Sequence, residues 1–98
     1  KEPNKTEAEY RNTFLRGQDA VYEGVTFRLA NNHRYTPDWI VREDGMVVRC
    51  IECKNRGKTG HKQFSYRSAR IMFDQARVEW PGIRWVWAEK QDGKWYAS

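Results

Sequence analysis

The chain is organised around Tyr35-Thr36-Pro37-Asp38-Trp39 and Cys50-Ile51-Glu52-Cys53-Lys54, two β-like runs joined by a short acidic turn. Side chains alternate between the two faces of a strand, so Glu52 and Lys54 project from one face. Asp38 comes from the other arm of the predicted hairpin. Two carboxylates with a lysine beside them are typical of hydrolytic sites that bind a metal.

Length and composition limit the classes of protein to consider. The 98 residues predict a single domain, residues 1–98, with a modest core to which five tryptophans contribute much of the buried area. A formal net charge of +5 favours polyanionic partners such as nucleic acid over neutral small molecules. No apolar run has membrane-spanning length and the N-terminus has no signal-peptide core, so we expect a cytoplasmic protein.

Cys50 and Cys53 form a lone C-x-x-C pair. A zinc site would need a second pair or histidines at ligand spacing, and His33 and His61 are isolated. Positions three apart on a strand point to opposite faces, so the two thiols are not expected to meet. We therefore expect two reduced, half-buried cysteines rather than a zinc or redox centre.

The N-terminal segment predicts a helix from about Lys5 to Arg16, with Asn4 or Thr6 as its cap. Glu7 lies in the first turn, where a carboxylate suits the positive end of the helix dipole. It also shares the inward face, so it is either a dipole-compatible acid or a member of the site. The apolar stripe of this face is predicted at Tyr10, Phe14 and, more loosely, Leu15.

Three strands are expected next, at about Val21 to Leu29, Arg34 to Arg42 and Met46 to Asn55. Pro37 interrupts the second strand and predicts an edge, a bulge or a bend that aims Asp38. In the third strand, alternation assigns Val48, Cys50, Glu52 and Lys54 to one face and Val47, Arg49, Ile51 and Cys53 to the other.

The segment from Lys54 to Arg70 contains six basic residues and no acid. It is interpreted either as a solvated loop or as a phosphate-contacting segment. The candidate DNA-binding residues are Arg56, Lys58, Lys62 and Arg67.

The C-terminal third predicts a helix from about Gln63 to Glu79, a strand from Arg84 to Glu89 and a short closing strand from Lys94 to Tyr96. The buried helix face is expected to follow Phe64, Ser68, Ile71, Gln75 and Val78, flanked by Met72 and Ala76. In the strand from Arg84 to Glu89, Trp85 and Trp87 share one face. They are predicted to be core residues rather than a base-stacking platform.

Pro37-Asp38 followed by Glu52-Cys53-Lys54 resembles the signature of the PD-(D/E)XK nuclease superfamily. The run from Asn32 to Trp39 is similar to the corresponding segment of the phage endonuclease I family of Holliday-junction resolvases. The opening from Asn4 to Tyr10 is similar to small phage and prophage proteins of the same superfamily. In motif terms the resemblance spans roughly Lys5 to Arg56.

The resemblance implies an α/β fold in which a small mixed central β-sheet is flanked by helices, a restriction-endonuclease-like αβββαβ core. It implies Asp38 and Glu52 as the central metal ligands, Glu7 as a helix-borne acid that also binds the metal, and Lys54 as the catalytic lysine. Cys53 would contribute its main-chain carbonyl to the metal. The implied cofactor is Mg²⁺, with Mn²⁺ as an alternative.

The function expected on this basis is a metal-dependent endodeoxyribonuclease whose substrates include branched DNA such as Holliday junctions. Junction resolution would favour a homodimer, because two symmetric strands must be cut. The chain is shorter than the junction resolvases, however, and no dimerisation segment aligns. The alternative is a non-catalytic nucleic-acid-binding module on a nuclease-like scaffold.

Overall fold

The computed structural model describes residues 1–57 and 64–98, with the side chains of residues 64 and 65 left out. The helices are α1 (Lys5–Phe14) and α2 (Phe64–Glu79), and a 3-10 turn covers Ala30–Asn32. The strands are β1 (Asp19–Tyr22), β2 (Phe27–Arg28), β3 (Arg34–Tyr35), β4 (Trp39–Glu43), β5 (Met46–Gly57), β6 (Arg84–Gln91) and β7 (Lys94–Ala97).

Five strands form one mixed sheet in the order β1-β4-β5-β6-β7, and β2 pairs with β3 in a separate two-stranded ribbon. The long central strand β5 is antiparallel to β4 and parallel to β6. Parallel neighbours need a crossover connection, and α2 lies within it. The prediction of an α/β protein with a mixed sheet and two helices is confirmed. Neither helix, over the part of the chain that is described, is long and apolar enough to cross a membrane.

Each face of the sheet is covered by one helix. On one face, Tyr10 of α1 packs with Trp39 and Ile51. On the other, Phe73 of α2 packs with Cys50 and the tryptophans of β6. Cys50 and Ile51 are consecutive, so β5 contributes alternately to the two cores.

Both hairpins of the main sheet close through Asp-Gly turns. Asp44 and Gly45 have φ values of 53° and 78°, and Asp92 and Gly93 have 50° and 79°. Two successive positive φ angles are characteristic of type I′ turns, whose twist matches that of the strands. The predicted turns before β5 and before β7 are therefore confirmed.

Two of the predicted strands are each divided in the structure. The chain leaves the main sheet after Tyr22 and returns at Trp39, and β2 and β3 lie between them. Gly24 occupies the first break, where a Cβ atom would come within 2.9 Å of side-chain atoms of both Ile40 and Val21. Pro37 occupies the second, as expected for a residue that cannot donate a ladder hydrogen bond.

A β-bulge in β5 changes which of its residues share a face, compared with the prediction. Val41 pairs with Arg49 and Arg42 with Val47, which leaves Val48 as an extra residue. Val48 therefore packs on the α1 side, while Val47 packs with Cys50 on the α2 side. The alternation predicted for these two valines was wrong, whereas Glu52 and Lys54 lie beyond the bulge and keep their common face.

The predicted faces of both helices also need correction. α1 ends at Phe14, which is exposed, and the buried Leu15 follows as its C-cap. On α2, Ile71 and Val78 are 64% and 70% exposed, so the predicted stripe does not face the core, although its flanking residues Met72 and Ala76 do. The buried residues are Phe73 and Ala76, because Phe73 packs edge-on against Trp85 and Trp87 of β6.

Candidate functional site

Three carboxylates from separate parts of the chain are buried in the structure. Glu7 of α1 is 8% exposed, Asp38 before β4 is 8% exposed, and Glu52 of β5 is 6% exposed. Burying a carboxylate is costly unless it is paired, hydrogen-bonded or bound to a metal. Three such groups in a chain of 98 residues therefore mark a specialised site.

Hydrogen bonds from the cap of α1 and from strands β1 and β4 hold Glu7 in place. It forms a capping box with Asn4: the Glu7 amide donates to Asn4 Oδ1 at 2.8 Å, and the Asn4 amide donates to Glu7 Oε1 at 2.8 Å. The Tyr22 hydroxyl donates to the same Oε1 at 2.8 Å. Trp39 Nε1 donates to the Glu7 carbonyl at 3.1 Å and ties the first turn of α1 to β4. Of the two residues predicted as caps, Asn4 and Thr6, Asn4 is the cap.

Asp38 is held against β5 by a main-chain donor. The Cys53 amide donates to Asp38 Oδ2 at 2.8 Å. In a strand, the N–H and C=O of one residue point to the same edge, so the Cys53 carbonyl is directed to the Asp38 side. The Glu23 amide donates to the Asp38 carbonyl at 2.8 Å and fixes the backbone as it enters β4.

Glu52 uses its two oxygens differently. The Tyr35 hydroxyl donates to Oε1 at 2.5 Å, and Lys54 Nζ lies 3.3 Å from Oε2. The side chain of Lys54 is 26% exposed, so its ammonium lies between the buried Glu52 carboxylate and solvent. The face shared by Glu52 and Lys54 is therefore as predicted from the period of the strand.

The carboxyl groups perturb one another electrostatically. Burial raises the pKa of Asp38 to about 8, and the charges of Glu52 and Glu7 and a hydrogen bond with the Glu7 side chain add to this rise. Burial also raises the pKa of Glu52, although the Tyr35 hydroxyl and Lys54 act in the opposite direction. Without a counter-cation the site therefore favours a proton on Asp38 at neutral pH.

This donor set suits a hard divalent cation. Mg²⁺ typically takes one or two protein carboxylates and completes its octahedron with water. Asp38 and Glu52 supply two buried carboxylates, and the Cys53 carbonyl points to the same edge. Residues 1–57 and 64–98 contain no group of three or more His, Cys, Asp or Glu residues placed to hold a metal ion together. A third ligand role for Glu7 stays a prediction.

The predicted DNA-binding residues do not share one environment. Arg56 is directed inward and forms an ion pair with Glu89 at 3.1 Å, with its guanidinium 5.6 Å from the ring centre of Tyr66. Arg67 is exposed on α2 beside a cavity of about 350 Å³. Lys58 and Lys62 lie outside the described residues.

Neither cysteine is in a disulfide, and both are fully buried rather than half-buried as expected. Cys50 belongs to the core under α2 and Cys53 to the core under α1, so the thiols point to opposite faces as predicted. Burial raises the pKa of the Cys50 thiol to about 12 and that of Cys53 as well. Burial therefore disfavours the thiolate, the nucleophilic form, at both positions.

Two tyrosines that hydrogen-bond to the carboxylates were not predicted from the sequence. Tyr22 donates to Glu7 and Tyr35 to Glu52. Tyr35 lies in the run from Tyr35 to Trp39, and its position three residues before Asp38 could have indicated a role at the site. Tyr22 could have been found only from its register opposite Trp39, which the sequence does not reveal.

No protein-family model, curated protein or solved structure matches this chain.

Proposed function

We propose that this chain is a metal-dependent endodeoxyribonuclease that hydrolyses DNA phosphodiester bonds with a PD-(D/E)XK site. The observation that carries the proposal is the burial of both Asp38 and Glu52, close enough for the charge of Glu52 to raise the pKa of Asp38, with Lys54 Nζ 3.3 Å from Glu52 Oε2. A purely structural role would not require two acids whose pKa values are both raised.

The order of the main elements supports a restriction-endonuclease-like core. The helix α1 is followed by β1, β4 and β5 of the main sheet, then by α2 and β6, which gives the sequence αβββαβ. Asp38 precedes one strand of the antiparallel pair, and Glu52 lies on the next. The ribbon β2–β3 and the edge strand β7 would be additions to this core.

Each side chain has a distinct role in the proposed reaction. Asp38 and Glu52 would hold Mg²⁺ or Mn²⁺ together with the Cys53 carbonyl, and Glu7 would bind a water of the coordination shell or the metal itself. A bound divalent cation lowers the pKa of its water and neutralises charge on a phosphoryl oxygen. Tyr22 and Tyr35 would keep Glu7 and Glu52 in fixed orientations.

Lys54 is the residue proposed to act directly on the reacting groups. Its ammonium is anchored by Glu52 yet partly exposed, so it can reach a water or a phosphate that approaches the site. A fixed positive charge there would orient the attacking water and stabilise the negative charge that develops on the phosphorane-like transition state.

Cleavage assays test the proposal directly. Purified protein is incubated with supercoiled plasmid and with linear, flapped and four-way DNA, in Mg²⁺, Mn²⁺ or EDTA. We expect nicking that requires metal and is reduced about 100-fold or more in Lys54→Ala, with DNA binding retained. The matched control is Lys94→Ala, which removes an exposed lysine on β7. Equal cleavage by wild type and Lys54→Ala would refute the role of Lys54.

Metal binding is tested separately from cleavage. We expect Mg²⁺ to raise the melting temperature of the wild type, and Asp38→Asn and Glu52→Gln to lose this effect. The exposed acids Asp44→Asn and Glu43→Gln provide controls with the same chemical change. DNA binding without metal-dependent cleavage on any of the four substrates would instead favour the non-catalytic binding module.

Substrate structure and assembly form the finer part of the proposal. A preference for four-way DNA over linear duplex would support junction resolution, and it should then coincide with a dimer in sedimentation experiments. Equal cleavage of all substrates by a monomer would leave a general endonuclease.

A further inference from the structure

The ribbon β2–β3 brings two arginines directly opposite each other. Phe27 pairs with Tyr35, and both are buried against the α2-side core. The adjacent pair is Arg28 opposite Arg34, and both side chains are exposed on the other face. Like charges at directly opposed positions of an antiparallel pair are destabilising. The ribbon therefore has an electrostatic cost that its fold does not require.

Neither arginine is neutralised within the described ranges 1–57 and 64–98. The ion pairs found there involve other arginines, namely Arg42, Arg56, Arg70 and Arg77. Glu79, an acid that contacts this part of the chain, is held by the Ala30 amide at 2.9 and 3.1 Å and by Gln75 Nε2 at 2.8 Å. Glu79 is the last residue of α2 and forms an ion pair with neither Arg28 nor Arg34.

The two arginines line a common cavity. Its volume is about 320 Å³, and its other lining residues are Leu29, Asn32 and His33. The two guanidinium groups and the Asn32 amide are hydrogen-bond donors at this cavity. Guanidinium groups bind phosphate oxygens through paired N–H donors, so the cavity offers a charge and a donor set that suit a phosphate group.

The cavity is close to the carboxylates along the chain. Arg34 precedes Asp38 by four residues, so even a fully extended backbone would separate their Cα atoms by at most about 14 Å. Tyr35, the next residue, donates to Glu52. Duplex DNA carries one negative charge per about 1.7 Å of its axis, so DNA that reached Asp38 would present further phosphates to the ribbon.

We propose that Arg28 and Arg34 form a second phosphate-binding site, which grips the DNA backbone a few nucleotides from the bond to be cut. The inference rests on the proposed function in taking DNA as the polyanion. A phosphate between the two guanidinium groups removes their mutual repulsion, so the cost built into the free ribbon is recovered on binding. Contacts of this type position the duplex and do not read its sequence.

Binding in EDTA separates this proposal from catalysis. The affinity for a fluorescent duplex oligonucleotide is measured by anisotropy between about 50 and about 200 mM KCl. Each neutralised phosphate adds about 0.9 to the magnitude of the slope of log K against log salt, and the two arginines share one phosphate. The Arg28→Gln/Arg34→Gln variant should therefore lose about 0.9 from that magnitude. The matched control, Arg16→Gln/Arg84→Gln, removes two exposed arginines elsewhere and should keep the slope of the wild type.

A second readout requires no DNA. Removal of the opposed charges should leave the melting temperature of the ribbon variant equal to or above that of the wild type. An unchanged salt slope in this variant, an equal loss in the control, or a wild type that does not bind DNA would overturn the proposal. Cleavage in Mg²⁺ is scored separately: a wild type that binds through the ribbon but does not cut would refute the nuclease function alone.

Discussion

Replacing Asp38 by Asn should stabilise the metal-free protein while it removes metal binding. Burial raises the pKa of Asp38 from an ordinary 3.8 to about 8. Between these values the folded state keeps a proton that the unfolded state has released, so stability falls as pH rises from about 4 to about 8. Asn resembles the protonated acid: its carbonyl can accept from the Cys53 amide, and its NH₂ can donate to Glu7.

The magnitude follows from the size of the shift. At about 1.4 kcal/mol per pKa unit, the full window corresponds to roughly 6 kcal/mol. This is an upper bound, because water that enters the metal-free site screens the charges; we expect Asp38→Asn to gain on the order of 3 kcal/mol at pH 8 and almost nothing at pH 4.

Urea unfolding in EDTA at several pH values measures this effect. With a slope of about 1 kcal/mol per M for a domain of this size, the midpoint at pH 8 should rise by roughly 2 to 3 M in Asp38→Asn. The control Asp44→Asn changes an exposed turn residue with a positive φ, which Asn tolerates. The reasoning is refuted if the wild type and Asp38→Asn have the same pH dependence. Mg²⁺ should reverse the order, since it stabilises the wild type alone.

Three further substitutions test the supports of the site. Tyr35→Phe removes the hydroxyl donor 2.5 Å from Glu52 Oε1 and should lower the free energy of unfolding in urea by about 1–3 kcal/mol. Mg²⁺ should also raise the melting temperature of this variant less than that of the wild type. An unchanged Mg²⁺ response would argue against a positioning role for Tyr35. Asn4→Ala breaks the capping box and should cost about 1 kcal/mol and weaken cleavage through Glu7, whereas full stability would show that the cap is dispensable. Gly24→Ala places a methyl group 2.9 Å from atoms of Ile40 and Val21 and should cost about 1–3 kcal/mol, while Gly82→Ala, with open space around it, should be nearly neutral by the same measurement.

Much of the candidate site could be predicted because it depends on short-range rules. The period of a strand places Glu52 and Lys54 on one face, and an Asp-Gly turn predicts the hairpin that brings β4 next to β5. The capping pattern of Asn4 and Glu7 locates the start of α1. Each of these inferences needs only neighbours within a few residues.

The errors arose where distant contacts decide the outcome. On α2, the Ile71 and Phe73 faces both fit helical spacing, and the tryptophans of β6 select the second. The bulge at Val48 shifts the alternation of β5 by one residue and leaves no trace in composition. Tyr22 reaches Glu7 from its place opposite Trp39 in the main sheet, and Tyr35 reaches Glu52 from the inserted ribbon; both registers are properties of the folded chain.

The assembly of the three carboxylates from distant parts of the chain makes the site dependent on folding. Glu7, Asp38 and Glu52 lie on elements separated by 31 and then 14 residues, and hydrogen bonds from Trp39, Tyr22 and Tyr35 join those elements. A nascent or partly unfolded chain lacks these long-range bonds and so cannot gather the acids. If the chain cuts DNA, that activity therefore requires the elements from α1 to β5 to have folded together.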